Sequence, residues 1–340
     1  MTLFPPGSAR AHTVSTTSVM GGALCLSVSA ILVKLAGVDA ATTAMLRCAL
    51  AVLVLVPLAI GEQRRRGCLS RPGIGWAAIA GVALGIDYAA WTAAIYQVGA
   101  GISTVLINVQ VIVLPLLALF IDREPIARRF LRALPLMLLG MSFVGGIWDV
   151  AALGMRTVTG TLLGLLAGLS YGAYLFLTRR AALDEPGRVI QPLTWATASA
   201  AVTTALLATF TGGPRLTGIG VRSWMLLIVL AVLGQVVAWL LVHHGSARLV
   251  PTTTAALLLV QPVLALALSA AVLSEHPTRL QILGAIIVIA AVAVANGLFR
   301  RRTEIQPGRT KPQPVHTDDA GITRFRDSTG PSPRRGDGPF

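Results

Sequence analysis

The chain has 340 residues, of which 54% are hydrophobic and only 12% charged, and its formal net charge is +14. A soluble domain typically carries about a quarter charged residues, so this composition excludes an ordinary soluble globular protein. It indicates an all-α integral membrane protein with enough apolar sequence for ten crossings of roughly 20 residues each.

Ten apolar segments follow one another, joined by short loops that predict antiparallel neighbouring helices. We place the spans at residues 18–36, 42–60, 75–95, 102–121, 133–148, 159–178, 190–210, 223–242, 251–273 and 280–298. Residues 1–17 are polar and lack a signal-peptide pattern. Residues 303–340 are rich in Pro, Gly and Arg and are predicted to form a disordered cytoplasmic tail.

The two halves of the chain resemble each other. The interval from Gln110 to Glu124 equals that from Gln261 to Glu275, and the two copies are 151 residues apart. Ten spans in two copies give five per copy, so the second copy must enter the membrane from the opposite side. We therefore predict inverted five-helix repeats over residues 18–149 and 150–302, an architecture typical of transporters.

The basic residues indicate the orientation. With the N-terminus inside, 22 of the 28 Lys and Arg residues fall in cytoplasmic segments. This asymmetry predicts that both termini are cytoplasmic. We expect the protein to lie in the plasma membrane. A basic nucleic-acid surface is the weaker interpretation, and we expect lipid rather than nucleic acid as the partner.

Charges inside the spans are costly and must face the protein interior. Arg47 and Asp87 are predicted to lie about 8 and 12 Å below the outer membrane edge, counting about 1.5 Å per residue. Asn108 and Gln110 fall in the same layer. Arg47 and Asp87 are expected to face a common cavity and to pair. The alternatives are a fixed ion pair between two helices and a substrate or proton site.

Aromatic residues flank this layer. Tyr88 and Trp91 lie beside Asp87, although Trp91 fits a lipid-facing position equally well. Further candidates for the opposing wall come from the second half: Ser170, Tyr171, Tyr174, Gln235, Trp239 and Gln261.

Four glycines at four-residue spacing, Gly160, Gly164, Gly168 and Gly172, predict a helix face that another helix approaches closely. Gly81 and Gly85 predict a second such face. Plain packing explains these faces, and helix sliding during transport is the functional alternative.

Signatures of soluble enzymes or metal sites do not occur: there is no GxxxxGK, HExxH or CxxC motif. Asp87 is alone among acids in the spans, whereas an aspartyl protease site needs two carboxylates. We expect no enzymatic activity, no cofactor and no metal.

Motifs at the helix ends identify a resemblance. Gln261-Pro262, Ser274-Glu275 and Gly284 resemble the drug/metabolite transporter superfamily, EamA type, whereas Asp122-Arg123-Glu124 replaces the usual loop in the first half. Val111 stands where this family usually has proline. The resemblance covers residues 18–298. It implies a ten-helix inverted-repeat carrier that exports amino acids or other small metabolites, often in exchange for protons.

The predicted function is therefore a secondary transporter that exports a small polar metabolite, with an amino acid or derivative as the leading substrate, by proton antiport and alternating access. Asp87 would exchange the proton, and Arg47 would either tune Asp87 or meet a substrate carboxylate. Asn108, Gln110 and Gln261 would bind substrate between the aromatic walls. Rivals are an efflux carrier for lipophilic cations or drugs and a non-transporting scaffold or sensor that uses the tail. Monomer and homodimer remain open.

Overall fold

The computed structural model describes residues 6–123, 128–144, 148, 154–184, 187–246, 249, 257–258 and 260–295. Glu124, the junction between the two halves and the 303–340 tail lie outside these residues. Every regular element in the described part is a helix.

The first half contains α1 (Pro6–Ala36), α2 (Ala40–Arg66), α3 (Arg71–Val98), α4 (Ala100–Leu106), α5 (Gln110–Asp122) and α6 (Arg128–Val144). The second contains α7 (Met155–Asp184), α8 (Ile190–Thr209), α9 (Val221–Ala231), α10 (Ala238–Ser246), α11 (Val260–Leu273) and α12 (Arg279–Ala295).

Within the described residues, six stretches are long and apolar enough to cross a membrane: Thr13–Ala36, Ala40–Arg66, Arg71–Val98, Ala100–Asp122, Met155–Ala182 and Val221–Gly245. Three shorter apolar helices, Phe130–Val144, Val260–Leu273 and Arg279–Val294, accompany them. The prediction of an all-helical membrane protein is confirmed. The number of ten crossings stays a prediction.

Two of the long helices begin at side-chain caps that the sequence supplies. The Asp39 carboxylate accepts the Thr42 N–H at 3.0 Å at the start of α2, and the Ser70 hydroxyl accepts the Gly73 N–H at 3.1 Å at the start of α3. Such caps satisfy N–H groups that have no partner within the helix. They fix where the membrane helices begin.

The repeat is visible in the backbone where the fourth and ninth spans end. Among the described residues, only Arg123 and Ser274 have positive φ without being glycine, at 56° and 52°. They lie 151 residues apart, and each directly precedes the glutamate that the sequence repeats. The left-handed conformation ends a helix sharply, so both copies stop the helix in the same way.

Two predicted spans are not continuous α-helices. A 3₁₀ turn, Ile107–Val109, separates α4 from α5, and a π-helical stretch, Val232–Val237, separates α9 from α10. Both deviations change which carbonyls are bonded within the helix, and π stretches occur frequently at functional sites.

The two predicted glycine faces are confirmed as surfaces of close helix approach. On α7, a Cβ added at Gly168 would lie 2.8 Å from the Ile107 carbonyl oxygen of the 3₁₀ turn. On α3, a Cβ at Gly85 would lie 3.0 Å from the Ala200 carbonyl oxygen of α8. These contacts hold α3 and α7 against the elements that carry the candidate site.

Candidate functional site

Arg47 of α2 is a fully buried cation, with 2% of its surface exposed. Its Nη2 donates a hydrogen bond of 2.9 Å to the Gly234 carbonyl in the π-helical stretch. Its guanidinium lies over two rings of α3, 4.0 Å from the centroid of Tyr88 and 5.5 Å from that of Trp91. Aromatic faces attract a cation most strongly where water is excluded, so these rings hold the charge in the apolar interior.

Asp87 lies one residue before Tyr88 and is 1% exposed. The predicted direct pairing of Asp87 with Arg47 is wrong: in the described part of the chain, no nitrogen of Arg47 lies within 4.0 Å of the Asp87 carboxylate. Arg47 instead turns toward the Gly234 carbonyl that the π stretch presents. The two groups are close enough to interact electrostatically, and Asp87 Oδ1 has no hydrogen-bond partner among the described residues.

A hydrogen-bonded chain links the two halves at the same level. The Tyr88 hydroxyl donates to Gln235 Oε1, and Gln235 Nε2 donates to the Thr197 hydroxyl at 3.2 Å. The Trp239 Nε1–H donates to the Tyr88 hydroxyl at 3.3 Å. The chain fixes the Tyr88 ring under Arg47, because both the hydroxyl and its partners are fully engaged.

Rings of the second half form a continuous aromatic wall beside this chain. Tyr171 stacks on Tyr174 with centroids 6.1 Å apart, and Trp239 meets both edge-on at 6.0 and 5.4 Å. Trp91 is buried, which excludes its lipid-facing alternative. The predicted residues Arg47, Tyr88, Trp91, Tyr171 and Trp239 are therefore brought together.

Seven buried side-chain atoms in the described residues have no hydrogen-bond partner, and five of them belong to predicted site residues. The five are Arg47 Nε, Arg47 Nη1, Asp87 Oδ1, Trp91 Nε1 and Gln110 Oε1. A buried polar group without a partner costs about 1–3 kcal/mol. Four of the five belong to Arg47, Asp87 and Trp91, and such groups are expected to be satisfied by a ligand or by ordered water.

The remaining predicted residues lie at the helix breaks. Asn108 Nδ2 donates to the Thr104 and Val105 carbonyls at 3.0 and 3.2 Å, so the Asn108 amide is used by the 3₁₀ turn. Gln110 begins α5. The Gln261 carbonyl accepts from the Ser27 hydroxyl at 3.0 Å. In the described ranges, no hydrogen bond or ring contact joins these three to the Arg47 group.

Sequence reasoning missed two members of the site: the Thr197 hydroxyl and the Gly234 carbonyl. Thr197 is one of several threonines in the seventh span, and nothing in its spacing distinguishes it. The Gly234 carbonyl is a backbone group within the π-helical stretch, so it has no side-chain signature in the sequence. Gln235 was recognisable as an amide in the middle of an apolar span.

In the described part of the chain, no group of three or more His, Cys, Asp or Glu residues could hold a metal ion. The site offers a buried cation, a carboxylate and aromatic faces. This set suits noncovalent recognition of a small charged molecule.

Comparison with known proteins agrees with this arrangement. No curated protein matches the chain in sequence. A solved structure described only as "Crystal structure of protein" superposes with a TM-score of 0.57 and 18% identity over 84% of this chain and 97% of its own. That likeness supports the fold alone. The sequence profile of the EamA-like transporter family matches residues 16–146 and 158–297, one match in each half. The chain belongs to the EamA-like transporter family and is a membrane transporter of small molecules.

Proposed function

We propose that this protein exports a neutral amino acid or a close derivative, and that Arg47 and Asp87 hold the two charged ends of the substrate. The observation that supports this most strongly is the set of unpartnered buried atoms on Arg47, Asp87 and Trp91. Each such atom opposes folding unless a water molecule or a ligand satisfies it, and a bound substrate would do so.

The chemistry of the two free groups specifies the ligand. Arg47 Nε and Nη1 are both without partners, and each N–H group can donate a charge-assisted hydrogen bond to a carboxylate. Asp87 Oδ1 is an acceptor that suits an ammonium group or a proton. A zwitterion satisfies both groups at once, and the aromatic wall of Tyr171 and Trp239 accommodates an apolar side chain.

Proton exchange at Asp87 would couple the cycle to the proton gradient. Asp87 loses solvation by burial and accepts no hydrogen bond at Oδ1, which disfavours its charged form, while the nearby Arg47 favours it. Opposing influences of this kind let a substrate ammonium and a proton compete for one carboxylate. In this cycle the site lies between inverted repeats and opens alternately to each side of a plasma membrane.

An efflux carrier for lipophilic cations is the second candidate, and one observation favours it. Asp87 is not bound by Arg47, and aromatic rings surround it, as a cation site would require. The uncompensated guanidinium of Arg47 opposes this function, since a ligand without a carboxylate leaves a second positive charge in the same layer. The amino acid therefore fits the charges better.

The test is a growth-protection panel. Cells that express the native protein, Asp87→Asn or the matched control Asp39→Asn are challenged with toxic amino acid analogues and with cationic dyes. Asp39→Asn keeps a good helix cap at α2 and should protect as well as the native protein. We expect protection against the analogues, lost in Asp87→Asn at equal expression.

Other outcomes separate the alternatives. Protection against dyes alone would establish the lipophilic-cation carrier. Equal protection by Asp87→Asn and the native protein would reduce Asp87 to a structural residue. If deletion of residues 303–340 abolishes a phenotype that Asp87 and Arg47 variants leave unchanged, a scaffold or sensor role replaces transport by this site.

A further inference from the structure

Glu275 joins three helices at one end of the bundle. Its Oε1 accepts the Ala100 N–H at 2.9 Å and its Oε2 accepts the Gly101 N–H at 3.3 Å, so the carboxylate caps the start of α4. Lys34 of α1 places Nζ 4.0 Å from Glu275 Oε1 and donates to the Ile95 carbonyl of α3 at 3.2 Å. Lys34 therefore makes specific contacts at this end of the bundle.

The loop after α11 aims the glutamate at α4. The left-handed Ser274 turns the chain, and the Glu275 N–H donates to the Ser269 carbonyl at 3.3 Å. The carboxylate then rests on Gly99, where an added Cβ would lie 2.7 Å from Oε2. Only glycine leaves this space, so the arrangement depends on the backbone as well as on the charge.

The helix that Glu275 holds is short and is bounded by two deformable points. Gly99, with φ of 94°, separates α4 from α3, and the 3₁₀ turn Ile107–Val109 separates it from α5. Asn108 and Gln110 lie at the second point. A rotation of α4 about these points would move the residues that adjoin the candidate site.

The face of α4 that packs on α11 closes the end of the helix bundle at which Glu275 lies. A Cβ at Gly101 would lie 2.8 Å from Leu266 Cδ1 and 3.1 Å from Leu266 Cα. Beside this contact lies a pocket of about 260 Å³, which is lined by Lys34, Ile102, Leu266, Ser269 and Glu275 among others. Separation of α4 from α11 would extend this pocket inward, toward the 3₁₀ turn.

We propose that Glu275 is a latch residue: its carboxylate holds α4 against α11 and keeps this end of the transport pathway closed until α4 swings away. The proposal rests on the alternating-access cycle of the proposed function but not on any particular substrate. The basic-residue distribution predicts that this end is extracellular. Glu275 acts through α4 and is a positioning residue for the transport reaction.

The test measures access to Ser269, which is fully buried and lines the pocket. Ser269→Cys is introduced after Cys25, Cys48 and Cys68 are replaced by alanine. The purified protein in lipid nanodiscs, which expose both faces, is treated with a hydrophilic maleimide. We expect Glu275→Gln to raise the labelling rate about tenfold, because loss of the charge weakens both hydrogen bonds that hold the start of α4.

Glu62→Gln is the matched control. Glu62 also caps a neighbouring helix, accepting N–H bonds from Val189, Ile190 and Gln191 at 3.1, 3.3 and 2.8 Å. Glu62 holds α8, which has no 3₁₀ or π interruption. Glu62→Gln should therefore leave the labelling rate of the cysteine at position 269 unchanged. Unchanged labelling in Glu275→Gln, or an equal rise in Glu62→Gln, would overturn the latch.

A milder variant keeps the proposal testable if Glu275→Gln does not fold. Lys34→Met removes only the ion-pair partner and should raise labelling about twofold to fivefold; no rise would contradict the role of Lys34 in the latch. The assay contains no amino acid, so a negative growth-protection panel leaves its result intact. A failure of the latch proposal can therefore be distinguished from a failure of the proposed function.

Discussion

At the scale of single residues, the centre of this protein is a buried arginine held by aromatic faces and one backbone carbonyl. Lysine has the same charge but lacks the planar fork that stacks on rings and binds a carboxylate with two N–H groups. Arg47 therefore combines two tasks: it stacks on Tyr88 and Trp91 and keeps two donors free.

Arg47→Lys should lower transport at least tenfold while the protein still inserts and folds, because the charge remains but the stacking and the Nε and Nη1 donors are lost. Efflux of a labelled substrate from proteoliposomes measures this. Arg180→Lys is the control, since Arg180 also stacks on rings, Trp76 and Phe176, away from the site. An equal loss of transport in Arg47→Lys and Arg180→Lys would contradict a special role for Arg47.

Tyr88→Phe should lower stability by about 1–3 kcal/mol, because Gln235 Oε1 and Trp239 Nε1 lose a buried partner. The aromatic ring that lies under Arg47 is kept, so the free energy of ligand binding should fall by less than the free energy of unfolding. Thermal unfolding in detergent measures the change. Tyr174→Phe removes a hydroxyl for which the structure shows no hydrogen bond and should shift Tm less; a larger shift would contradict the hydrogen-bonded chain.

At the scale of elements, two helices are interrupted beside the site in different ways. The 3₁₀ turn faces the glycines of α7, and the π stretch presents the Gly234 carbonyl to Arg47. The glycine face of α7 was predictable, because its spacing repeats every four residues. Neither interruption has a clear signal in the sequence. At the 3₁₀ turn, Asn108 binds carbonyls of its own helix, and in the π stretch Gly234 packs on Ser29 of another helix.

Gly168→Ala should destabilise the protein by about 1–3 kcal/mol, the usual cost of overpacking, since the new methyl group meets backbone of the 3₁₀ turn. Gly75→Ala, in open space on α3, should be neutral or stabilising by up to about 1 kcal/mol. Thermal unfolding of the two variants gives the comparison. A neutral Gly168→Ala would show that α7 does not need its glycine face.

At the scale of the whole molecule, the repeat organises the site. Tyr88 and Trp239 are 151 residues apart, the same interval that separates Gln110 from Gln261, and they contact each other directly. Equivalent residues that touch lie near a local symmetry axis, so the candidate site would straddle the axis between the halves. This relation supports an inverted repeat with the site at its centre.

The inverted topology has a direct test in the native cysteines. Cys68 is exposed in the loop between α2 and α3, which the basic residues place in the cytoplasm. An impermeant maleimide should label it only after cells are permeabilised. Thr217→Cys, in the exposed loop between α8 and α9, should be labelled in intact cells. The reverse pattern would invert the proposed orientation.

Much of this molecule follows from apolar periodicity and the polar residues that interrupt it. Arg47, Asp87, Tyr88 and Trp239 stand out in the sequence because such groups are costly in lipid. Direct pairing of Arg47 with Asp87 was one interpretation of two opposite charges in one layer, and the described residues do not show it. The π stretch supplied another partner for Arg47, and a backbone acceptor of that kind leaves no trace in the sequence.

The central claim is that one buried layer recognises both charges of a zwitterion. The most direct measurement is calorimetric binding of three matched ligands to the purified protein: a neutral amino acid, the same molecule without its amino group, and the same molecule without its carboxylate. We predict that the amino acid binds tightest and that Asp87→Asn removes its advantage over the deaminated acid. Tightest binding of the decarboxylated amine, unaffected by Arg47→Lys, would contradict the account.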